Sequence, residues 1–222
     1  EALKFWREPD AGIWEVRGQL QHFTSSKIMC WVAVDRGAKI ARITGEDGKA
    51  AEWELAAQEI KDDILANGVD ERGVLTQYYG TKALDASLLL APLVRFLPAD
   101  HPIIRATVLA IADELTVHEL VLRYKVEETD DGFPGEEGSF TICSFWLVSA
   151  LCEIGDYERA RKLCAKLLSF AGELDLYGEE IDPHTSQQLG NFPQAFTHLA
   201  LINAVLHVIK LEGRQHGQSE AG

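Results

Sequence analysis

The sequence predicts an all-α fold, on three observations. Apolar residues recur at i, i+3, i+4 and i+7 in seven segments. The apolar–polar alternation of half-buried strands is hardly present. The predicted helices also come in pairs, starting near 25, 82, 139 and 192, a period of roughly 55 residues that exceeds the ~34 of tetratricopeptide arrays.

The spacing predicts helices over 25–43, 51–67, 82–96, 102–118, 139–154, 157–171 and 192–211. Pro102 suits the first turn of the fourth, with Asp100 ahead of it. Ser139 is placed to cap the fifth, and Gly155 with Asp156 turns the chain into the sixth. Three stripes are well formed. They are Phe140, Cys143, Leu147, Ala150 and Ile154; Tyr157, Ala160, Cys164, Leu167 and Ala171; and Phe192, Ala195, Phe196, Leu199, Ile202, Leu206 and Ile209. Each is expected to bury one helix face. Three long loops stand between helices or ahead of them: the aromatic and charged Phe5 to Gln21, the acidic and flexible Val126 to Gly138, and Leu174 to Gly190. Loops of that length in a compact domain are usually functional or disordered. The tail over 213–222 reads as disordered.

Composition narrows the function classes. The 222 residues are 46% hydrophobic and 25% charged, ordinary for a globular domain with its own core. A formal net charge of −14 with no Lys/Arg cluster argues against nucleic acid as a partner. No uninterrupted apolar run reaches bilayer length, so no membrane partner is expected. Cys30, Cys143, Cys152 and Cys164 form no CxxC pair and read as buried thiols of a reducing compartment, the cytoplasm. No signal peptide is visible; the abrupt opening on Glu1 suggests that sequence precedes it. Oligomeric state is not legible.

Two carboxylates could carry chemistry. In Pro9 to Arg17, Glu15 follows Trp14 and precedes Val16. A half-dry pocket there would disfavour the carboxylate and raise its pKa, as a general acid near neutral pH requires. The Trp would offer a flat face to a sugar ring. The blander reading is a packed Trp beside a solvated Glu. The second candidate, Glu179, lies in Gly178-Glu179-Glu180-Ile181-Asp182-Pro183, where a carboxylate could deprotonate a water; acidic loops are ordinarily just solvated. Arg123, before Tyr124, supplies a rigid fork of donors for hydroxyls or carboxylates, or a surface ion pair. There is no GxGxxG, GxxxxGK[ST], GxSxG or HExxH, and Asp130-Asp131-Gly132 does not fit calcium-loop spacing. His198 and His207 lie off the apolar stripe of the last helix and read as surface or boundary residues.

Taken together, PDAGIWEVRG (9–18), HFTSSKIMCWVAVDRG (22–37), LDASLLL (84–90), RY (123–124), GSFTICSFWLVSAL (138–151), GEEIDP (178–183) and LGNFPQAF (189–196) resemble family-15 glycoside hydrolases, which include glucoamylases, glucodextranases and trehalases. The resemblance is collinear and extends to about residue 212. It implies part of an (α/α)6 barrel, a six-hairpin toroid with about seven of twelve helices present in 1–212. The first barrel helices and a β-sandwich would lie upstream. It further implies Glu15 as general acid and Glu179 as general base, Arg123 holding sugar near the cleaved bond, and Trp14 and Phe196 lining the sugar pocket. Phe196 stands where fungal members place a Trp, and Val16 where they place a second Glu. No metal or organic cofactor is implied.

The resemblance thus implies an inverting, exo-acting hydrolase releasing glucose from trehalose or a short α-glucan, with a short α-glucoside such as trehalose somewhat favoured over long starch chains. The two carboxyl groups would stand roughly 6.5–9.5 Å apart to admit a water. The other reading is a non-catalytic helical repeat scaffold, since CEIGDYERARKLCAKLL (152–168) alone resembles a tetratricopeptide hairpin. A scaffold would scatter Glu15 and Glu179; an enzyme would aim both into one pocket.

Overall fold

A computed structural model describes residues 1–129 and 138–219. In chain order it contains α1 (Ala2–Phe5), α2 (Thr24–Ile43), α3 (Asp47–Asn67), a 3-10 turn (Ala86–Leu89) running into α4 (Leu90–Leu93), α5 (Pro102–Glu114), β1 (Thr116–Val117), β2 (Leu120–Val121), β3 (Ser139–Phe140), α6 (Thr141–Glu153), α7 (Tyr157–Leu168), β4 (Glu180–Ile181), β5 (Gln188–Leu189) and α8 (Ala195–Ser219). The acidic stretch of 130–137, including Asp130-Asp131-Gly132, and residues 220–222 lie outside the described residues.

α2 and α3 form one hairpin, turned by Gly45 at φ +79°. At Gly37 a Cβ would stand 3.1 Å from the Trp53 ring, so the missing side chain lets the two helices approach. α6 and α7 form a second hairpin, with Gly155 at φ +82° and Asp156 as N-cap. α6 is the central element. It packs against α4, α5, α7, α8 and the 3-10 turn, and every residue from Thr141 to Cys152 is buried. α7 is its complement, burying Ala160, Cys164 and Leu167 while its charged residues face water.

Two small antiparallel ladders matter for position. β1 and β2 are joined by His118 and Glu119, both at positive φ as a two-residue primed turn requires. β3, β4 and β5 pair Phe140 with Glu180 and Glu180 with Leu189, which fastens the 178–190 loop to the start of α6.

The helix expected over 102–118 ends at Glu114, with β1 beginning two residues on, and the structure departs from the sequence reading in four further places. The helix expected over 82–96 is only the 3-10 turn and one α turn. Asp85 caps its start by accepting from the Ser87 N–H, and Arg95 at φ +58° ends it. Ser139 does not cap α6; it lies in β3, and Phe140 holds the cap position. The helix expected to end at 211 continues to Ser219, through seven residues read as tail.

The stripe assigned to α8 is also on the wrong side. Phe196 (53%), Leu199 (60%), Ile202 (55%), Leu206 (45%) and Ile209 (55%) are exposed, while Thr197, Ala200 and Ala204 are buried. The most hydrophobic face gives the strongest period, but the packed face is the one whose small residues admit α6 closely. His198 and His207 turn with it and are half-buried. By length and composition Ala195–Gly213 could cross a bilayer; one face of it packs against α6 and α7, and most of the rest is not buried.

Phe145 is fully buried in α6. Phe145→Ala should cost about 3–5 kcal/mol in a denaturant melt. Replacing Leu199 and Ile202 together with Ser should change stability by no more than about 0.5 kcal/mol per site and lower self-association of the chain measured by light scattering.

Candidate active site

The Trp14 loop is closed at its base by paired backbone bonds between Asp10 and Gln21 (2.8 and 3.0 Å). Within it the Gly12 N–H donates to Asp10 Oδ1 (2.6 Å), and Gly12 adopts φ +69° with the Phe23 ring 3.0 Å from where a Cβ would sit. The Val16 N–H then donates to Ala11 O (3.0 Å), and Glu15 takes φ +51°. This turn half-buries Trp14 and leaves Glu15 exposed. The half-dry pocket expected around Glu15 is therefore not formed by the described residues, because Trp14 and Val16 turn inward on either side and nothing described covers the carboxylate.

Trp14 anchors an aromatic patch. Its indole N–H is shared between the two oxygens of Asp85 (3.0 and 3.1 Å). Its ring lies 5.8 Å from Phe140 and 6.2 Å from Trp146. Trp146 in turn meets Phe196 edge-on at 6.0 Å. The Arg123 guanidinium sits over Phe140 (4.5 Å), Tyr124 (5.0 Å) and Trp14 (5.4 Å). Aromatic faces on that scale hold a planar cation in one orientation.

Glu179 adjoins this patch through the start of α6. Its carbonyl accepts from the Thr141 N–H (3.0 Å), one residue after Phe140, and its own N–H donates to Asn191 O (2.9 Å). Its carboxylate is half-buried and oriented by three donors. Asn191 N (3.2 Å) and Nδ2 (3.1 Å) reach Oε2, and Gln194 Nε2 (3.3 Å) reaches Oε1. Gly190, at φ +72°, passes so close that a Cβ would stand 2.7 Å from Oε2. The neighbouring Glu180 accepts from Gly138 N (3.1 Å) and half-buries in the ladder. A cleft of ≈ 340 Å³ opens beside Arg123, lined also by Tyr124, Glu127, Asp182, His184 and Leu189.

Of the residues singled out from sequence, Trp14, Arg123 and Phe196 are joined through Phe140 and Trp146, and Glu179 adjoins them through the α6 N-terminus. Glu15 follows Trp14 at the exposed edge. Sequence reasoning missed Asp85, Trp146, Asn191 and Gln194 as site residues. Asn191 and Gln194 flank the Pro193 of LGNFPQAF, and Asp85 opens an Asp-x-Ser capping pattern; both signals were on the page. Burial holds the Asp85 carboxyl above its ordinary range, with hydrogen bonds from Ser87, Trp14 and Gln77 opposing the rise only in part. Among the described residues no group of three or more His, Cys, Asp or Glu is arranged to hold a metal ion.

A family profile described as "Glycosyl hydrolases family 15" matches residues 3–164 and 157–206. A protein named trehalase from Mycolicibacterium smegmatis is 72% identical over 212 residues, covering 96% of this chain and 32% of its own length. A trehalase from Mycobacterium tuberculosis is 69% identical over 212 residues (96% and 31%). One from Thermoplasma acidophilum is 38% identical over 198 residues (89% and 34%). The chain thus spans about a third of the length of the curated relatives it matches. Among solved structures, a glycosidase in complex with glucose superposes with TM-score 0.78 at 20% identity, over 93% of this chain and 57% of that one. A bacterial glucoamylase complexed with acarbose gives 0.73 at 15%, over 89% and 34%. The helical arc is therefore part of an (α/α)6 barrel.

Gly190→Ala should destabilise the chain more than Gly80→Ala. Both substitutions put a side chain on a left-handed residue, at φ +72° and +81°, but only Gly190 has a carboxylate in the way. The expected difference in a denaturant melt is about 1–2 kcal/mol.

Proposed function

The chain belongs to glycosyl hydrolase family 15, and from that premise we propose that it is the C-terminal part of the catalytic barrel of an inverting hydrolase that releases glucose from trehalose. The observation that carries this reading is the convergence of two carboxylate-bearing loops on one aromatic patch. Trp14, which precedes Glu15, and Phe196, which follows the Gln194 that orients Glu179, both pack on Trp146. The relatives' names supply the choice of trehalose over longer α-glucans.

In this mechanism Glu15 protonates the glycosidic oxygen while Glu179 takes a proton from a water on the opposite face of the ring. The three donors on Glu179 fix both its oxygens and so aim its free lone pairs. Arg123, clamped between aromatic faces, presents N–H groups to hydroxyls near the cleaved bond. Trp14 and Phe196 offer apolar faces to sugar C–H surfaces. The described residues do not themselves supply the dry wall that a general acid needs around Glu15. The four unpaired cysteines support a reducing compartment, the cytoplasm.

Glu179→Gln in the complete enzyme should lower kcat on trehalose by about 10²- to 10⁴-fold with a melting temperature close to that of wild type. A loss below tenfold would take Glu179 out of the mechanism. Initial products read by proton NMR should be one α- and one β-glucose per trehalose, because only the attacked sugar inverts. Two α-glucoses would mean retention. Trehalose should release glucose faster than maltose or soluble starch; the reverse order would overturn the substrate assignment.

A further inference from the structure

Asp85 is a buried carboxylate that the proposed mechanism does not use. It is 1% exposed and accepts from four donors on three segments. The Ser87 N–H (2.8 Å) and hydroxyl (2.6 Å) reach Oδ1, Gln77 Nε2 (3.2 Å) reaches Oδ2, and the Trp14 indole N–H bridges both oxygens. Gln77 is itself held. Its Oε1 accepts from the Thr129 hydroxyl (2.9 Å), and its backbone N–H and C=O pair with Ala83 (2.8 Å) and Thr24 (2.9 Å). The residue after Asp85, Ala86, donates its N–H to Arg123 O (2.8 Å). A single carboxylate therefore ties the Trp14 loop, the 74–85 segment and, through Gln77 and Ala86, the 122–129 segment.

Local capping of the 3-10 turn explains the Ser87 bonds and would be met as well by Asn or Ser. It does not explain the indole, which comes from 71 residues away. An indole N–H has one donor and no acceptor, so a bridging carboxylate fixes both the ring's position and its tilt. That ring is the face on which Arg123 lies and the residue before Glu15.

The geometry points to Asp85 as a positioning residue that sets the plane of the Trp14 indole and thereby the reach of Glu15. This rests on the reading of Trp14 and Glu15 as sugar wall and general acid. The anchored Trp14 ring fixes the backbone from which Glu15, on its left-handed turn, extends. Misplacement of a reacting group by about 1 Å is enough to lose about 10²-fold in rate.

The test uses the complete enzyme. Asp85→Ala, Asp85→Asn and Trp14→Phe are made singly, and Asp85→Ala is combined with Trp14→Phe. Trp14→Phe keeps an aromatic ring and removes the donor. Asp85→Ala should lower kcat about 10- to 100-fold with a smaller change in KM, yet lower it less than about threefold when added to Trp14→Phe. Asp85→Asn keeps an acceptor for the indole and should stay within about fivefold of wild type. In nitrogen-15 NMR, the indole resonance assigned to Trp14 by its loss in Trp14→Phe should shift in Asp85→Ala and move much less in Asp85→Asn. Equal losses from Asp85→Ala in both backgrounds, or an unmoved indole resonance, would overturn the assignment. If Asp85→Ala does not fold, Asp85→Asn decides it: a large kcat loss with an unmoved resonance sinks the idea. Wild-type enzyme inactive on every α-glucoside would sink the functional reading instead, and the NMR arm would still decide the Asp85–Trp14 contact.

Discussion

A carboxylate with almost no exposed surface must be surrounded by donors, and at Asp85 they come from segments far apart in the chain. Removing a charge from water is expensive unless hydrogen bonds replace the lost hydration. Loop arrangements that leave Asp85 short of donors are therefore disfavoured, and the Trp14 loop, the 74–85 segment and the Arg123 segment settle together. Phe140 completes the base, since its ring lies under Arg123 while its backbone pairs with Glu180 and the next N–H, of Thr141, donates to Glu179 O. The loops that bear the candidate chemistry are long, but their bases are not loose.

α6 is what these loops rest on. It begins at the patch, carries Trp146 and Cys143 into it, and is buried from Thr141 to Cys152. Burial pushes the Cys143 thiol up; the Asp85 carboxylate adds to that rise and Arg123 opposes it, so both charges act on the same turn of α6. A helix packed on all sides can orient a site because none of its side chains has room to move. Replacing one of its large residues would disturb the site from below without touching a polar group.

Much of this was legible in the sequence, for physical reasons that differ by element. α7 has charges on one side and small apolar residues on the other, so its period is plain. α6 still read as a helix because even its most buried face falls at helical spacing. α8 misled because its hydrophobic stripe is not its packed face: Ala200 and Ala204 carry too little hydrophobicity to announce themselves, while Leu199 and Ile202 stand outside. The 82–96 segment misled because an Asp-x-Ser cap, a proline at 92 and a left-handed Arg95 break an apolar run that looks helical. Of the candidate site, the aromatic and acidic members were visible as motifs. The polar residues that hold them, Asp85, Asn191 and Gln194, lay inside the LDASLLL and LGNFPQAF motifs, but their roles were not legible, since a long-range hydrogen bond leaves no periodic trace. The exposure of Glu15 could not be read either, because burial there depends on neighbours distant in the chain.

The central claim is that Glu15 and Glu179 face one another across a bound sugar. The most direct test is a crystal structure of the complete enzyme with a non-hydrolysable trehalose analogue. The account predicts the two carboxyl groups roughly 6.5–9.5 Å apart on opposite faces of one ring, with a water on Glu179. Carboxyl groups only about 5–5.5 Å apart, or a Glu15 turned to a surface the sugar does not touch, would contradict it.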